Sequence, residues 1–427
     1  MSEPFNIALI GCGTVGSGVA RLLLEQPKRL AARAGRPLVL RRVVVRNLDK
    51  PRDACLPREL LTTDLEQVIR DPHLHVAVEV VGGVDWAKQA ILRLLTAGKD
   101  VVTANKALLA TCGAEVFDAA RQHGRAVAFE ASVAGGIPII GALTHGLAAN
   151  QIMSVQGILN GTSNFILTSM SDGGLSYADA LAEAQRLGYA EADPRLDVDG
   201  TDAAHKLAIL AQVAFGVSVP LSCIERRGIA RVGALDIRYA HELGYTIKLL
   251  AETFLHENRL ALHVSPVLLR KTTPLAQVRG AYNAVYVVGD AVGDTLFYGQ
   301  GAGQMPTASA VTADLIDLAI GRAQRTFQTL RLWSANGEPI QLREPGTVRS
   351  RFYLRVLVED RPGVLADHQI SIASVIQHEA PDEHEGNRVQ MVIITHTAPT
   401  GSFRLAAAKL DRLSCVGAPS VYYPVGD

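Results

Sequence analysis

The sequence predicts an α/β protein: a Rossmann-type doubly wound parallel sheet, then a central α+β substrate and dimerisation domain, then a C-terminal α+β module. Three observations predict it. An apolar strand, Phe5 to Ile10, runs straight into Gly11-Cys12-Gly13-Thr14-Val15-Gly16 and a helix carrying Val19, Leu22, Leu23 and Leu24. Apolar strands then alternate with amphipathic helices, the cadence of a parallel sheet covered on both faces. From about Ser132 the cadence stops, at Gly135-Gly136-Ile137-Pro138, and longer elements follow.

The first domain, residues 1–131, has further strands at Leu38 to Val45, Val76 to Val80, Val101 to Thr103 and Ala126 to Phe129. Helices at Leu65 to Arg70, Trp86 to Ala97 and Ala114 to Gln122 separate them, and a helix near 305–320 returns to this domain. Residues 132–304 form the substrate domain, with helices at Ser176 to Leu187 and Thr201 to Phe215 and strands at Gln151 to Leu159 and Leu260 to Pro266. Residues 321–348 read as a linker. In 349–427, strands are expected at Phe352 to Glu359, Ile370 to Gln377, Val389 to Thr395 and Val421 to Tyr423, with a helix at Phe403 to Leu413.

At 427 residues the chain is too long for one ordinary core. Its 42 basic and 42 acidic residues leave no electrostatic footprint for nucleic acid or an anionic membrane. No apolar run reaches membrane-spanning length. Five scattered cysteines argue against a disulfide framework or zinc cluster, and Met1 to Asn6 lacks the features of a signal peptide, so a cytoplasmic protein is expected. With only nine lysines in the chain, each one inside a motif stands out.

Four stretches carry chemistry. Gly11 allows the tight turn, Gly13 lets backbone approach a pyrophosphate, and Gly16 lets helix and strand pack closely. Arg46, where an NAD site usually has an acid, would welcome a 2′-phosphate and points to NADP, with NAD as the alternative; an ordinary surface arginine competes with that reading. Lys106, after the strand ending at Thr103, lies on the carboxyl side of the sheet, where ligands gather. Asp202 and Lys206 are four apart on one helix face, and Glu191, Asp193, Asp197 and Asp199 precede them in one loop. A surface ion pair is the plain alternative; a carboxylate cluster beside a lysine suits a substrate amino group.

Those motifs resemble the homoserine dehydrogenases of the monofunctional type with a C-terminal ACT-like module. Ala104-Asn105-Lys106, Glu130 through Pro138, Gly157 through Asn164, Gly188 through Pro194 and Asp197 through Lys206 occur in the family's order. The resemblance covers residues 5 to about 320 continuously and 349–427 less well. It implies reversible NADPH- or NADH-dependent reduction of aspartate 4-semialdehyde to homoserine, in threonine, methionine and isoleucine biosynthesis. Lys206 would be the proton donor and Lys106 a second active-site lysine; Glu191, Asp197 and Asp202 would hold substrate, with Gly161 and Thr162 lining the site. Cofactor would meet Gly11, Gly13, Thr14, Val15, Gly16, Arg46, Thr103, Lys106 and Gly301. Glu130 and the carbonyls of Val133, Gly135 and Ile137 resemble the family's sodium site, and a homodimer or homotetramer is expected.

Two other readings compete. A phosphorylating semialdehyde dehydrogenase needs a cysteine–histidine pair that is not evident. A nucleotide-binding regulator would lose the acid–lysine helix, which this chain keeps. The His378-Glu379 to His384-Glu385 run reads as a solvated hairpin rather than a metal site. One departure stands out in the module: only Val364 to Gln369 separate the Asp360-Arg361-Pro362-Gly363 turn from the next strand. The module's first helix is therefore expected to be missing, the two strands to pair as a hairpin or the first to borrow a helix from another chain, and threonine inhibition to be weak or absent.

Overall fold

The computed structural model describes residues 3–52, 55–334, 340–359, 372–377 and 388–426. It divides into two compact units: Met1–Val155 with Ala204–Ile224 and Tyr282–Ile340, and Gln156–Ala203 with Glu225–Ala281 and Gln341–Asp427.

The first unit is built on six strands, β1 (Phe5–Ile10), β2 (Leu38–Val44), β3 (Leu61–Thr62), β4 (Val76–Glu79), β5 (Asp100–Thr103) and β6 (Val127–Ala128). They pair in parallel in the order β3-β2-β1-β4-β5-β6, reversing direction of winding between β1 and β4. All six residues of β1 are buried, as a strand covered on both faces requires. Helix α1 (Thr14–Glu25) lies against the helix Gln304–Ala319, where a side chain at Gly18 would come within 2.9 Å of Ala308 Cβ. Within the stretch read as a linker, Arg322–Leu330 is a helix, and its Phe327 stacks on Phe117 at 5.2 Å.

In the second unit, Tyr245–His256 and Arg259–Arg270 form a long antiparallel hairpin turned by Glu257 and Asn258, both at positive φ. The last strand, Val416–Gly426, joins Arg259–Arg270 in parallel, and the order continues Arg349–Glu359, Arg388–Thr395, Ile372–Gln377. Helix Thr400–Leu410 closes this C-terminal core, with Phe403 stacked on Phe352 at 3.9 Å. Asp236, fully buried on helix Ala234–Glu242, accepts hydrogen bonds from Arg355 Nε at 2.6 Å and the Tyr353 hydroxyl at 3.1 Å.

The expected hairpin in the C-terminal module is not formed. Arg349–Glu359 and Ile372–Gln377 both pair antiparallel with Arg388–Thr395, which lies between them, so they run parallel to each other. Twelve residues, 360–371, connect them: the four of the expected turn, the six of Val364–Gln369, and two more because the second strand starts later than its apolar pattern suggests. A crossover needs about that many residues, so the count of six no longer argues for a deletion. The Asp360–Gly363 turn, Val364–Gln369 and the His378–Glu385 run lie outside the described residues.

Candidate active site

The glycine turn follows β1 directly. Gly11 sits at φ +98°, and a side chain on Gly16 would collide with the Gly11 carbonyl at 2.2 Å. Gly13 has open space around it, so the amides opening α1 stay accessible to an anion. Beside it lies a cavity of 370 Å³ lined by Cys12, Gly13, Thr14, Ser17, Lys50, Pro51, Arg52 and Gln304. Arg46 is exposed and is not among the lining residues. The cations there are Lys50 and Arg52. Arg52 folds back over its own loop, donating to the carbonyls of Asn47 at 2.5 Å and Lys50 at 2.9 Å, and its buried Nε has no hydrogen-bond partner among the described residues.

At the carboxyl edge of the same sheet, Glu79 is completely buried. Its carboxylate accepts from the Thr103 hydroxyl at 2.7 Å and from the amides of Val81 at 2.8 Å and Gly82 at 3.2 Å. Thr103 in turn accepts the Asn105 amide, and Asn105 caps the helix Lys106–Gln122 through the Leu108 amide. Lys106 is thereby fixed as the first residue of that helix, half-buried. The one sequence signal for Glu79 is an acid closing an otherwise apolar strand.

Glu130 is 8% exposed, and its carboxylate accepts the amides of Ile140 at 2.9 Å and Gly141 at 2.7 Å. Burial pushes its pKa up. Val133, Gly135 and Ile137 are buried beside it in sequence, and Ala134 between them has φ +51°. Gly135 has no room for a side chain: one would sit 2.9 Å from the carbonyl of Gly301, which places the Gly301 turn directly on this loop.

The second unit assembles the acids. Asn160 donates from Nδ2 to Asp197 Oδ1 at 2.8 Å and to Asp202 Oδ2 at 2.9 Å, while its Oδ1 caps the helix Gly161–Gly173 through the Ser163 amide. The Ser163 hydroxyl reaches the Asp197 carbonyl at 2.9 Å, and the Thr162 hydroxyl the Tyr189 carbonyl at 2.6 Å. Gly161 is the first residue of that helix. The loop is not one carboxylate cluster. Asp193 pairs with Arg195 at 2.6 Å and Asp199 accepts the Thr201 amide at 2.8 Å, so neither joins Asp197 and Asp202. Glu191 is exposed. Asp202 and Lys206 stand one turn apart on the helix Thr201–Phe215, 6% and 7% exposed, a different setting from the solvated face where i,i+4 pairs usually lie.

Two family models match the chain: "Homoserine dehydrogenase, NAD binding domain" over residues 11–130 and "Homoserine dehydrogenase" over 138–316. The homoserine dehydrogenase of Neisseria gonorrhoeae is 42% identical across 98% of this chain and 97% of its own. That of Bacillus subtilis is 39% identical across 97% and 96%. The crystal structure of a homoserine dehydrogenase from Thiobacillus denitrificans superposes with a TM-score of 0.91, at 42% identity, over 100% of this chain and 99% of that one. A hyperthermophilic archaeal homoserine dehydrogenase solved in complex with NADPH covers 74% of this chain and 97% of its own, with a TM-score of 0.62 and 28% identity. Sustained over both chains from end to end, this likeness places the chain in the homoserine dehydrogenase family, the NAD(P)-dependent oxidoreductases that interconvert L-aspartate 4-semialdehyde and L-homoserine.

Proposed function

We propose that Lys206 supplies the proton to the substrate oxygen in this reaction, and that Asp202 and Asp197 hold the substrate's ammonium group. The observation that carries this reading is the buried Asp202–Lys206 pair on one helix, with Asp197 drawn to Asp202 by Asn160. Charge grows on the aldehyde oxygen during reduction, and a positioned ammonium stabilises it and donates the proton. Thr162, Gly161 and Glu191 line the substrate side of the site, and Lys106 is the second active-site lysine. When bound, the nicotinamide supplies the reducing equivalent.

The cofactor is NADP in preference to NAD. The open amides at Gly13 and the flanking Lys50 and Arg52 suit a pyrophosphate and a 2′-phosphate, with Arg46 in the same loop, and the homologue bound to NADPH supports this choice. Thr14, Val15 and Gly16 complete the turn; Thr103, by holding Asn105, and the Gly301 turn would support the bound cofactor. Glu130 and the carbonyls of Val133, Gly135 and Ile137 would hold a monovalent cation, sodium by its oxygen donors; burial disfavours the charge on Glu130, and such an ion would offset that cost. The C-terminal module is ACT-like, the chain assembles as a homodimer or homotetramer, and it works in the cytoplasm. Among the described residues no helix is long and apolar enough to cross a membrane.

Absorbance at the reduced nicotinamide band tests the reading. Homoserine oxidation should proceed faster with NADP than with NAD, and replacing sodium by choline should slow it. Lack of turnover with homoserine under every condition would refute it.

A further inference from the structure

We propose that Asn160 is a positioning residue for this reaction, its side-chain amide holding Asp197 and Asp202 together as one two-carboxylate clamp. The inference rests on the substrate role given above to the two acids.

The amide group has two N–H donors and one acceptor, and the structure uses all three. One proton goes to Asp197 at 2.8 Å, the other to Asp202 at 2.9 Å, and the oxygen takes the Ser163 amide at 2.8 Å. Asn160 is 5% exposed, so little water competes for these bonds. The two carboxylates come from separate elements, the short helix Arg195–Val198 and the first turn of Thr201–Phe215. Like charges brought together from separate elements repel, and donors shared between them offset that repulsion. The other acids of the loop, with no such donor between them, turn away to Arg195 and to the Thr201 amide.

The side-chain chemistry leaves little choice. Aspartate has the same shape and would still cap the helix, yet it replaces both donors with a third negative charge. Serine would also cap, but one hydroxyl cannot donate to two carboxylates. These substitutions therefore separate two functions of one residue. If Asn160 only caps the helix, Asn160→Asp and Asn160→Ser should behave alike and close to the parent enzyme. If it positions the clamp, both should lose substrate binding while keeping the cap.

The test measures KM for homoserine, KM for NADP, kcat and the thermal midpoint in the parent enzyme, Asn160→Asp, Asn160→Ser and Asp202→Asn. The expected result is a rise of about tenfold to a hundredfold in homoserine KM for both Asn160 variants, with a larger rise for Asn160→Asp. Their KM for NADP should stay near the parent's, and the thermal midpoint should fall more in Asn160→Asp, where a third buried carboxylate adds repulsion, than in Asn160→Ser. Homoserine KM within threefold of the parent's in both Asn160 variants, with Asp202→Asn impaired, would overturn the positioning role alone. An unimpaired Asp202→Asn would overturn the substrate role of the acids. Homoserine KM and thermal midpoint both near the parent's in Asn160→Asp and Asn160→Ser would show that the residue is a cap and nothing more.

Discussion

Glu79 and Thr103 close the carboxyl ends of two neighbouring parallel strands with a 2.7 Å hydrogen bond, and neither side chain has any exposed surface. Through Thr103 the bond passes to Asn105, and so to the start of the helix that carries Lys106. The same carboxylate fixes the Val81 and Gly82 amides, at the point where the winding of the sheet reverses and nucleotides bind.

Glu79→Gln should therefore weaken nucleotide binding before it weakens substrate binding. A glutamine keeps the volume but offers one acceptor oxygen instead of two, and a hydrogen bond to a charged group contributes about 1.5–3 kcal/mol. Titration of NADPH fluorescence should show affinity about tenfold to a hundredfold lower, with homoserine KM changed far less. Unaltered NADPH affinity would make the network purely structural.

Nucleotide choice should follow Arg52 and Lys50 more than Arg46. The double variant Lys50→Ala/Arg52→Ala should lower kcat/KM with NADP about tenfold or more and leave NAD nearly unchanged, since each charge-assisted bond to the extra phosphate is lost. Arg46→Asp alone should favour NAD, as an acid at that strand end would accept the ribose hydroxyls. Equal losses with both nucleotides would show that Lys50 and Arg52 serve the shared pyrophosphate instead.

Lys206→Ala should cost roughly a hundredfold to ten-thousandfold in kcat, the range for removing one positioned acid. NADPH binding should be retained, and Asp202→Ala should also lose turnover by releasing the lysine from its neighbour one turn away. Near-normal kcat in Lys206→Ala would move the proton to Lys106 or to water.

Asp236→Ala should unfold the C-terminal strands from the rest of the second unit. The Arg355 side chain is 16% exposed and would be left as a buried cation with its principal partner gone, a change that costs about 3–5 kcal/mol. Hydrogen exchange should rise first along Arg349–Glu359. Unchanged exchange there would mean that the apolar core around Phe352 and Phe403 holds the module alone.

Stability should climb between pH 8 and 10 because of Lys248. This lysine is 2% exposed, its ammonium donating to Asn164 at 2.9 Å and to the Val278 carbonyl at 2.5 Å, and burial lowers its pKa to about 8. Below pH 8 folded and unfolded chains both hold the proton, and the folded state bears the cost of a buried charge. Between about 8 and 10.5 the unfolded chain binds more protons, so rising pH favours the fold, by about 1.4 kcal/mol per pH unit. Urea midpoints at pH 7.5 and 9.5 should show this gain in the parent protein and not in Lys248→Met.

Whatever depends on neighbouring residues can be read directly along the chain. The glycine turn is legible because strand, turn and helix are contiguous, and Thr201–Phe215 because alanine and leucine, strong helix formers, recur along one contiguous segment. Asp202 and Lys206 were legible as a pair for the same reason. Partners distant along the chain are brought together by folding alone. Asn160 meets Asp197 and Asp202 from 37 and 42 residues away, and Glu79 meets Thr103 from 24. No local pattern encodes such bonds. Tyr245–His256 carries no alternating pattern, because it is buried along most of its length and its residues do not alternate as a half-exposed strand's do. The position of Arg46 told its strand end but not its direction, and the fold put Lys50 and Arg52 beside the glycine turn instead. Side-chain direction is set by the packing of the whole loop, which a one-dimensional pattern does not contain.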